Sequence, residues 1–369
     1  MSCRSLYIHI PFCERKCNYC AFESAVPQSG DFELWLAMLE GELSLRAAEV
    51  GRLKLSTCYF GGGTPTVLPA ALWEALISLI ERNFDFEAEA EVTVEANPNS
   101  LRADHLLAWR DWRVNRVSIG VQSFDDAELE QMGRLHSARE ALCAISAALA
   151  AGFSVSGDFI FGLPRQSFKN WGRTLHEAVR CGLNHISLYQ LSLEEGTPWA
   201  ALPPETLADG YPPYRWAQWY LPRRGYAQYE VANFAKEWRE SRHNINYWKE
   251  GEYLGLGPGA AGYLNGLRYK NFGSLKAYAE SIYKKELPIA ENERLPRERA
   301  AREAAVLGLR MTEGLDRVDF AERYGENEWA SLLAALRKFP DELYTADEKG
   351  IRLTKKGMRV ANLIWSEII

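Results

Sequence analysis

Six short β-rich runs, most of them followed by a helical pattern, narrow the folds open to this chain more than any other feature. They are SLYIHI (5–10), STCYF (56–60), EVTVEA (91–96), RVSIGV (116–121), SVSGDFIF (154–161) and HISLYQL (185–191). Helical patterns stand between them, as in ALWEALISLIERNF (71–84) and AREALCAISAALAAG (138–152), the second ending on Gly152 as a C-cap. Strands alternating with helices are parallel strands joined by crossovers. Six such units predict an α/β barrel, closed or partly closed. An open doubly wound sheet is the alternative.

In such a barrel the functional site sits at the carboxyl ends of the strands, and those ends are chemically unusual here. The first strand runs into HIPFCERKCNYCAF (9–22), and the second ends in GGGTPT (61–66). The third carries Glu95, followed by Asn97-Pro98, and the fourth ends at Gln122. The fifth carries Asp158, and the sixth carries Tyr189 and Gln190. One mouth lined by these groups accounts for polar or glycine-rich chemistry at the same place in unit after unit.

Cys13, Cys17 and Cys20 have the spacing C-x3-C-x2-C. A structural zinc takes four protein ligands, and His9 is available as the fourth in H-x3-C-x3-C-x2-C. A cubane iron–sulfur cluster has four irons, so three thiolates leave one iron open to another ligand. Spacing alone leaves both metal readings standing. A disulfide framework fits poorly, because the chain has seven cysteines, an odd number. Cys3, Cys58, Cys143 and Cys181 are isolated and read as small core residues or inert thiols.

GGGTPT is neither a Walker loop nor G-x-G-x-x-G. It reads as a tight turn, or as a place where backbone approaches a small ligand and exposed N–H groups hold a carboxylate. Glu95 and Asp158 lie inside apolar runs and need partners, either an internal salt bridge or a cationic ligand such as an amine or sulfonium. Arg134 reads by itself as a surface residue. His243, in RHNINYW (242–248), reads by itself as a packed histidine. The alternative is a ligand for a flat apolar cofactor with Tyr247 and Trp248 beside it.

The length of 369 residues fits one large domain and a smaller one, and 47% hydrophobic with 25% charged residues is ordinary for a soluble protein. A net charge of −6 gives no general pull toward nucleic acid or an anionic membrane. No apolar run has the length of a membrane span, and LYIHIPF does not read as a signal peptide. The expected location is the cytoplasm.

Taken in order, these segments resemble the radical S-adenosylmethionine (SAM) superfamily, and within it the coproporphyrinogen III dehydrogenase family. The resemblance rests on LYIHIPFCERKCNYCAF, GGGTPT, VTVEANP, RVSIGVQSFDDAELEQMGRLH, DFIFGLP, LSLEEGTP, and RHNINYW with GLGPGA. It implies that Cys13, Cys17 and Cys20 hold three irons of a [4Fe–4S] cluster and that the methionyl group of SAM fills the fourth corner. It further implies that Tyr7 packs at the cluster and SAM, that Gly62, Gly63 and Thr64 contact the methionine moiety, and that Glu95, Gln122, Arg134 and Asp158 bind SAM. The cofactor chemistry implied is one-electron cleavage of the SAM sulfonium. The true dehydrogenases of the family carry a further cysteine where this chain has Phe22. Phe22 together with the H-N-x-x-Y-W pattern matches the heme chaperone branch, which implies heme as a ligand, His243 as its axial ligand, and respiratory hemoproteins as clients. The alternative is the dehydrogenase activity itself, which Phe22 puts in doubt.

The implied division is a radical SAM barrel over 1–235, a connecting segment over 236–290 and a small winged-helix-like α+β domain over 291–369. In the last, Lys349-Gly350 reads as a hairpin turn and Thr354 as the cap of a closing helix. Its lack of a basic stripe argues against nucleic acid as a partner. A homodimer and peripheral membrane contact remain open.

Overall fold

The computed structural model describes residues 3–204 and 206–369. Two compact units divide the chain, and they interleave in sequence: residues 1–210 with 252–293, and residues 211–251 with 294–369.

The first unit is built on strands β1 (Ser5–Ile10), β2 (Lys54–Gly62), β3 (Asp85–Ala96), β4 (Arg116–Gln122), β5 (Ser154–Phe161) and β6 (His185–Gln190). Each pairs in parallel with the next, with Tyr7 opposite Tyr59, Tyr59 opposite Thr93, Glu95 opposite Ser118, Ser118 opposite Ser156, and Asp158 opposite Ser187. The other edge of β1 pairs with the short parallel strand Leu254–Leu256. The strand order follows the chain order without reversal, which is the order of a partial α/β barrel; a doubly wound sheet reverses at a switch point.

Alternation along the strands explains the layering. Leu6, Ile8 and Ile10 of β1 are fully buried on one face, with Phe60 of β2 and Phe161 of β5 in the same layer. Helices cover this face and most bring a tryptophan to it. Trp35 (from Asp31–Val50), Trp73 (Ala70–Asn83), Trp109 (Ala103–Asp111) and Trp171 (Phe168–Arg180) are fully buried. Trp73 meets Phe60 edge-on at 5.3 Å, and Trp171 meets Phe161 at 5.5 Å. The opposite face carries Tyr7, His9, Tyr59, Thr93, Glu95, Arg116, Ser118 and Asp158. The interior of the barrel is therefore polar, and its rear is the apolar core.

The glycine-rich stretch after Tyr253 closes this unit. Glu42, fully buried on the first helix, accepts from the Gly257 N–H (2.8 Å), the Tyr278 hydroxyl (2.6 Å) and Asn271 Nδ2 (2.8 Å). Gly257 has φ +98°, and a Cβ there would lie 2.6 Å from the His9 carbonyl oxygen. GLGPGA is thus a clamp on β1. An Asn265-Gly266 turn, with both residues at positive φ, joins Ala261–Leu264 to Leu267–Asn271 as a tight hairpin.

The second unit holds the helices Tyr211–Tyr220, Arg242–Trp248, Arg297–Gly308, Arg317–Tyr324 and Glu326–Leu336, and an antiparallel sheet ordered Leu315–Asp316, Gly350–Leu353, Tyr344–Ala346. Its core gathers Leu309, Phe320, Trp329, Leu336, Ile351 and Ile364. The hairpin is present but its turn falls at residues 347–349, with Gly350 already paired in the strand, and the Thr354 hydroxyl accepts from the Gly357 N–H. The helix that Thr354 caps is short, Lys355–Met358, and a second helix, Ala361–Ile368, follows it. Residues 211–235, read from sequence as part of the barrel, belong to this unit. The fully buried Glu230 carboxylate pairs with Arg310 at 3.2 Å there.

Candidate functional site

A cavity of about 490 Å³ opens at the carboxyl ends of β1–β6. Cys13, Cys17 and Cys20 line one wall, and all three are half-buried.

The cysteine loop is tied down on both flanks. The Cys13 N–H donates to the Ala25 carbonyl at 3.0 Å. Between the cysteines, Asn18 donates through its backbone N–H to Met132 O (3.1 Å) and through Nδ2 to Gln131 O (3.0 Å). Arg15 donates to the carbonyl of Gly133. The MGRLH segment thereby supports the loop from outside. His9 supports it from inside: one ring nitrogen lies 2.8 Å from Glu23 O and the other 3.0 Å from the Tyr7 hydroxyl. Burial pushes this imidazole below its ordinary pKa. The neutral ring donates from Nε2 to Glu23 and accepts at Nδ1 from Tyr7. Both nitrogens are used, so His9 is not placed as a metal ligand. Among the described residues no three His, Cys, Asp or Glu side chains converge as on a single metal ion.

Gly62, Gly63 and Thr64 line the cavity, but the reason for the glycines differs from the sequence reading. A Cβ on Gly62 would stand 2.6 Å from the His9 ring, and one on Gly63 would stand 2.4 Å from Phe12 O. The close approach is between the glycine loop and β1. The N–H groups are also spent internally: Gly62 to Glu95 Oε2 (3.2 Å), Gly63 to Ile10 O (2.9 Å) and Thr64 to Phe12 O (2.7 Å). The loop offers the cavity its shape and the Thr64 hydroxyl rather than a nest of open N–H donors.

Glu95 and Asp158 line the same cavity, both half-buried. Glu95 Oε1 accepts from the Tyr59 hydroxyl at 2.7 Å, and Asp158 accepts from Ser118 Oγ at 3.1 Å. Burial pushes the Glu95 carboxyl up to about 7; the Tyr59 hydroxyl opposes this and nearby Asp158 adds to it. Burial likewise raises Asp158, against the Ser187 hydrogen bond and the charge of Arg116. Two carboxyls held this way gain from a cationic ligand. Gln122 lines the cavity at φ +67°, a left-handed conformation uncommon outside glycine. Arg134 reaches in through Nη2, bonded to Asn97 Oδ1 and Gly120 O, both at 2.7 Å, and its Nη1 lies 3.6 Å from Cys17 Sγ. Phe22 stands at the rim, 69% exposed. Tyr7 lies behind the cavity, stacked on Tyr59 with centroids 6.1 Å apart.

Because the Glu95 carboxyl is raised in the folded state, its contribution to stability is full below about 4.5 and is lost as pH rises through about 7. Glu95→Gln removes this dependence. In protein free of ligands the variant should gain stability relative to wild type as pH rises across that window, read from urea midpoints. A constant difference at every pH would show that the Glu95 carboxyl is not raised in the folded state.

His243 belongs to the second unit. It is buried, 1% exposed, in the helix Arg242–Trp248, and its Nε2 lies 2.6 Å from the Tyr247 hydroxyl. Trp248 lies under the Arg310 guanidinium at 4.2 Å.

Sequence reasoning missed Asn97 as a site residue. The sequence sets it at the end of the third strand, at the mouth, but nothing local shows that its amide spans Thr64 and Arg134.

The donor set fits an iron–sulfur cluster. Three thiols share one wall, and a hydroxyl and a guanidinium, both able to donate to thiolate sulfur, stand beside two of them. A structural zinc would need a fourth protein ligand, and His9, the candidate from the sequence, has both ring nitrogens committed; a cluster places each thiolate on a different iron and needs only these three.

Comparisons with known proteins agree with this picture. The model of the radical SAM superfamily matches residues 7–178, and that of the HemN C-terminal domain matches residues 295–360. A heme chaperone HemW of Bacillus subtilis (strain 168) is 34% identical over 375 residues, 99% of each chain. A mitochondrial radical S-adenosyl methionine domain-containing protein 1 of Bos taurus is 42% identical over 272 residues, 70% of this chain and 60% of that one. Among solved structures, coproporphyrinogen III oxidase (HemN) from Escherichia coli, a radical SAM enzyme, matches with a TM-score of 0.85 and 25% identity over 99% of this chain and 89% of that one.

Proposed function

The chain belongs to the HemW branch of the radical SAM superfamily, and from that premise we propose that it is a heme chaperone that binds a [4Fe–4S] cluster, SAM and heme and hands heme to respiratory hemoproteins in the cytoplasm. The observation that carries the reading is 34% identity over 99% of the chain to a heme chaperone HemW, joined to three thiols and two half-buried carboxyls that line one cavity.

Cys13, Cys17 and Cys20 hold the cluster in this reading. Glu95 and Asp158 receive the positively charged end of SAM, and Gln122 and Arg134 hold its polar groups. Bound together, the cluster and SAM supply one-electron chemistry at the sulfonium, while the chain orients and shields it. Tyr7 acts at one remove, by orienting His9 and packing on Tyr59. His243 would hold the heme iron through its imidazole.

The second reading is SAM-dependent oxidative decarboxylation of coproporphyrinogen III. The fold match to HemN favours it. Phe22, an exposed phenyl at the cavity rim where the dehydrogenases carry a cysteine, speaks against it.

One anaerobic preparation tests both. SAM should change the EPR spectrum of the reduced cluster by occupying the open iron, heme should bind in a saturable titration, and coproporphyrinogen III should be left unchanged. SAM-dependent formation of protoporphyrinogen IX at enzymatic rates would replace the chaperone reading with the dehydrogenase. An unchanged spectrum at saturating SAM would sink the open-iron arrangement.

A further inference from the structure

A continuous chain of hydrogen bonds joins two of the three cysteines without involving the third. Cys13 Sγ lies 3.3 Å from Thr64 Oγ1. Asn97 Nδ2 donates to the same Thr64 oxygen at 2.9 Å. Asn97 Oδ1 accepts from Arg134 Nη2 at 2.7 Å, and Arg134 Nη1 reaches Cys17 Sγ at 3.6 Å. The two residues at the ends of this chain, Thr64 and Arg134, lie 51 and 117 residues away in sequence from the cysteines they touch.

The chemistry of the donors fixes the orientation of the Asn97 amide between them. A guanidinium has no acceptor, so the Asn97 oxygen must face Arg134 and its NH₂ must face Thr64. Thr64 therefore accepts from Asn97, and toward a Cys13 thiolate, which has no proton to give, the Thr64 hydroxyl is the donor. Asn97 is held in turn, with its backbone N–H donating to Thr66 Oγ1 at 3.2 Å. Gly120 leaves the room: a Cβ there would lie 3.1 Å from Asn97 Oδ1 and 3.4 Å from Arg134 Nη2.

We propose that Asn97 is a positioning residue for the cluster, aiming the Thr64 hydroxyl at Cys13 and the Arg134 guanidinium at Cys17, and that this pair of donors raises the reduction potential of the cluster. The proposal rests on the reading that these cysteines bind a [4Fe–4S] cluster. Reduction adds one electron, here from dithionite, and places more negative charge on the sulfurs. Hydrogen bonds and positive charge at the thiolates favour that state.

The test is an EPR-monitored redox titration of the reconstituted protein, with iron and sulfide content as the control for loading. Thr64→Val removes the donor at Cys13 while leaving Asn97 bonded to Arg134, and should lower the midpoint potential. Asn97→Asp keeps the acceptor for Arg134 but cannot donate to Thr64. The Thr64 proton then turns to the new carboxylate and away from Cys13, so the potential should also fall. The double variant separates this relay from the added charge, because the effect of Asn97→Asp should be smaller when Thr64 is already valine. A loaded Thr64→Val protein with the wild-type potential would overturn the proposal. Equal shifts from Asn97→Asp in both backgrounds would overturn the relay by reducing it to charge alone. Wild-type protein that takes up no cluster would instead sink the functional reading, a distinct result.

Discussion

Cys17→Ser will leave anaerobically reconstituted protein with only traces of iron and sulfide, while its far-ultraviolet circular dichroism stays that of wild type. Loss of one of three ligands is severe here because no local fourth ligand can take its place. His9 has both ring nitrogens committed, to Tyr7 and Glu23. Serine oxygen is a poor substitute for thiolate on iron, and Arg134, 3.6 Å from the Cys17 sulfur, cannot ligate. The fold should survive, because the loop is anchored by Asn18, Arg15 and the Cys13 N–H rather than by its thiols. Full iron and sulfide in the variant would remove the cluster assignment. So would stoichiometric zinc in wild-type protein purified anaerobically.

The sites legible in the sequence were those where a local pattern and a structural period coincide. Strand alternation sets Tyr7 and His9 on one face of the first strand and Leu6, Ile8 and Ile10 on the other, while Glu95 and Asp158 stood out as acids inside apolar runs. The strand ends then had to share one mouth, whatever the crossovers looked like. The cysteine triplet was legible for the same reason, since its spacing is contained in one loop. What stayed hidden depended on partners far away in the chain. Gly62 looks like a ligand-facing glycine until His9 is seen against it. Glu42 looks like an exposed helix position, yet it is fully buried beneath Gly257, Asn271 and Tyr278.

The boundary between units was hidden for a related reason. No composition shift marks residues 210 or 251. Membership of 211–251 in the second unit is decided by what its side chains bury, such as the Tyr214 hydroxyl on Val231 O at 2.5 Å and the Glu230–Arg310 pair. Trp248 illustrates the consequence. Beside His243 in sequence it suggests a surface for a flat ring, but its ring is covered by Arg310 on one side. The H-N-x-x-Y-W pattern therefore has a packing role in this fold whatever else it does.

That packing makes the heme prediction sharper. If His243 is the axial ligand, its imidazole must exchange the Tyr247 hydroxyl for iron, since Nε2 lies 2.6 Å from that oxygen and the ring is 1% exposed. Tyr247 is then a competitor for the same nitrogen. A hydrogen bond of this kind contributes about 1 kcal/mol net, so Tyr247→Phe should tighten heme binding about fivefold. His243→Ala should weaken it about tenfold or more, because imidazole ligation is lost. Neither change touches the cysteine loop, so iron and sulfide content should hold at the wild-type level in both. Arg242→Ala is the control for a propionate contact on the same helix and should act through affinity without changing the spectrum of the ligated iron. Opposite effects of the two His243-centred variants on heme affinity are the signature of ligand exchange at Nε2. Weakening by both would assign Tyr247 to the heme contact itself and remove the competition. Heme affinity indifferent to His243→Ala would move the axial ligand to another residue while leaving the chaperone reading in place.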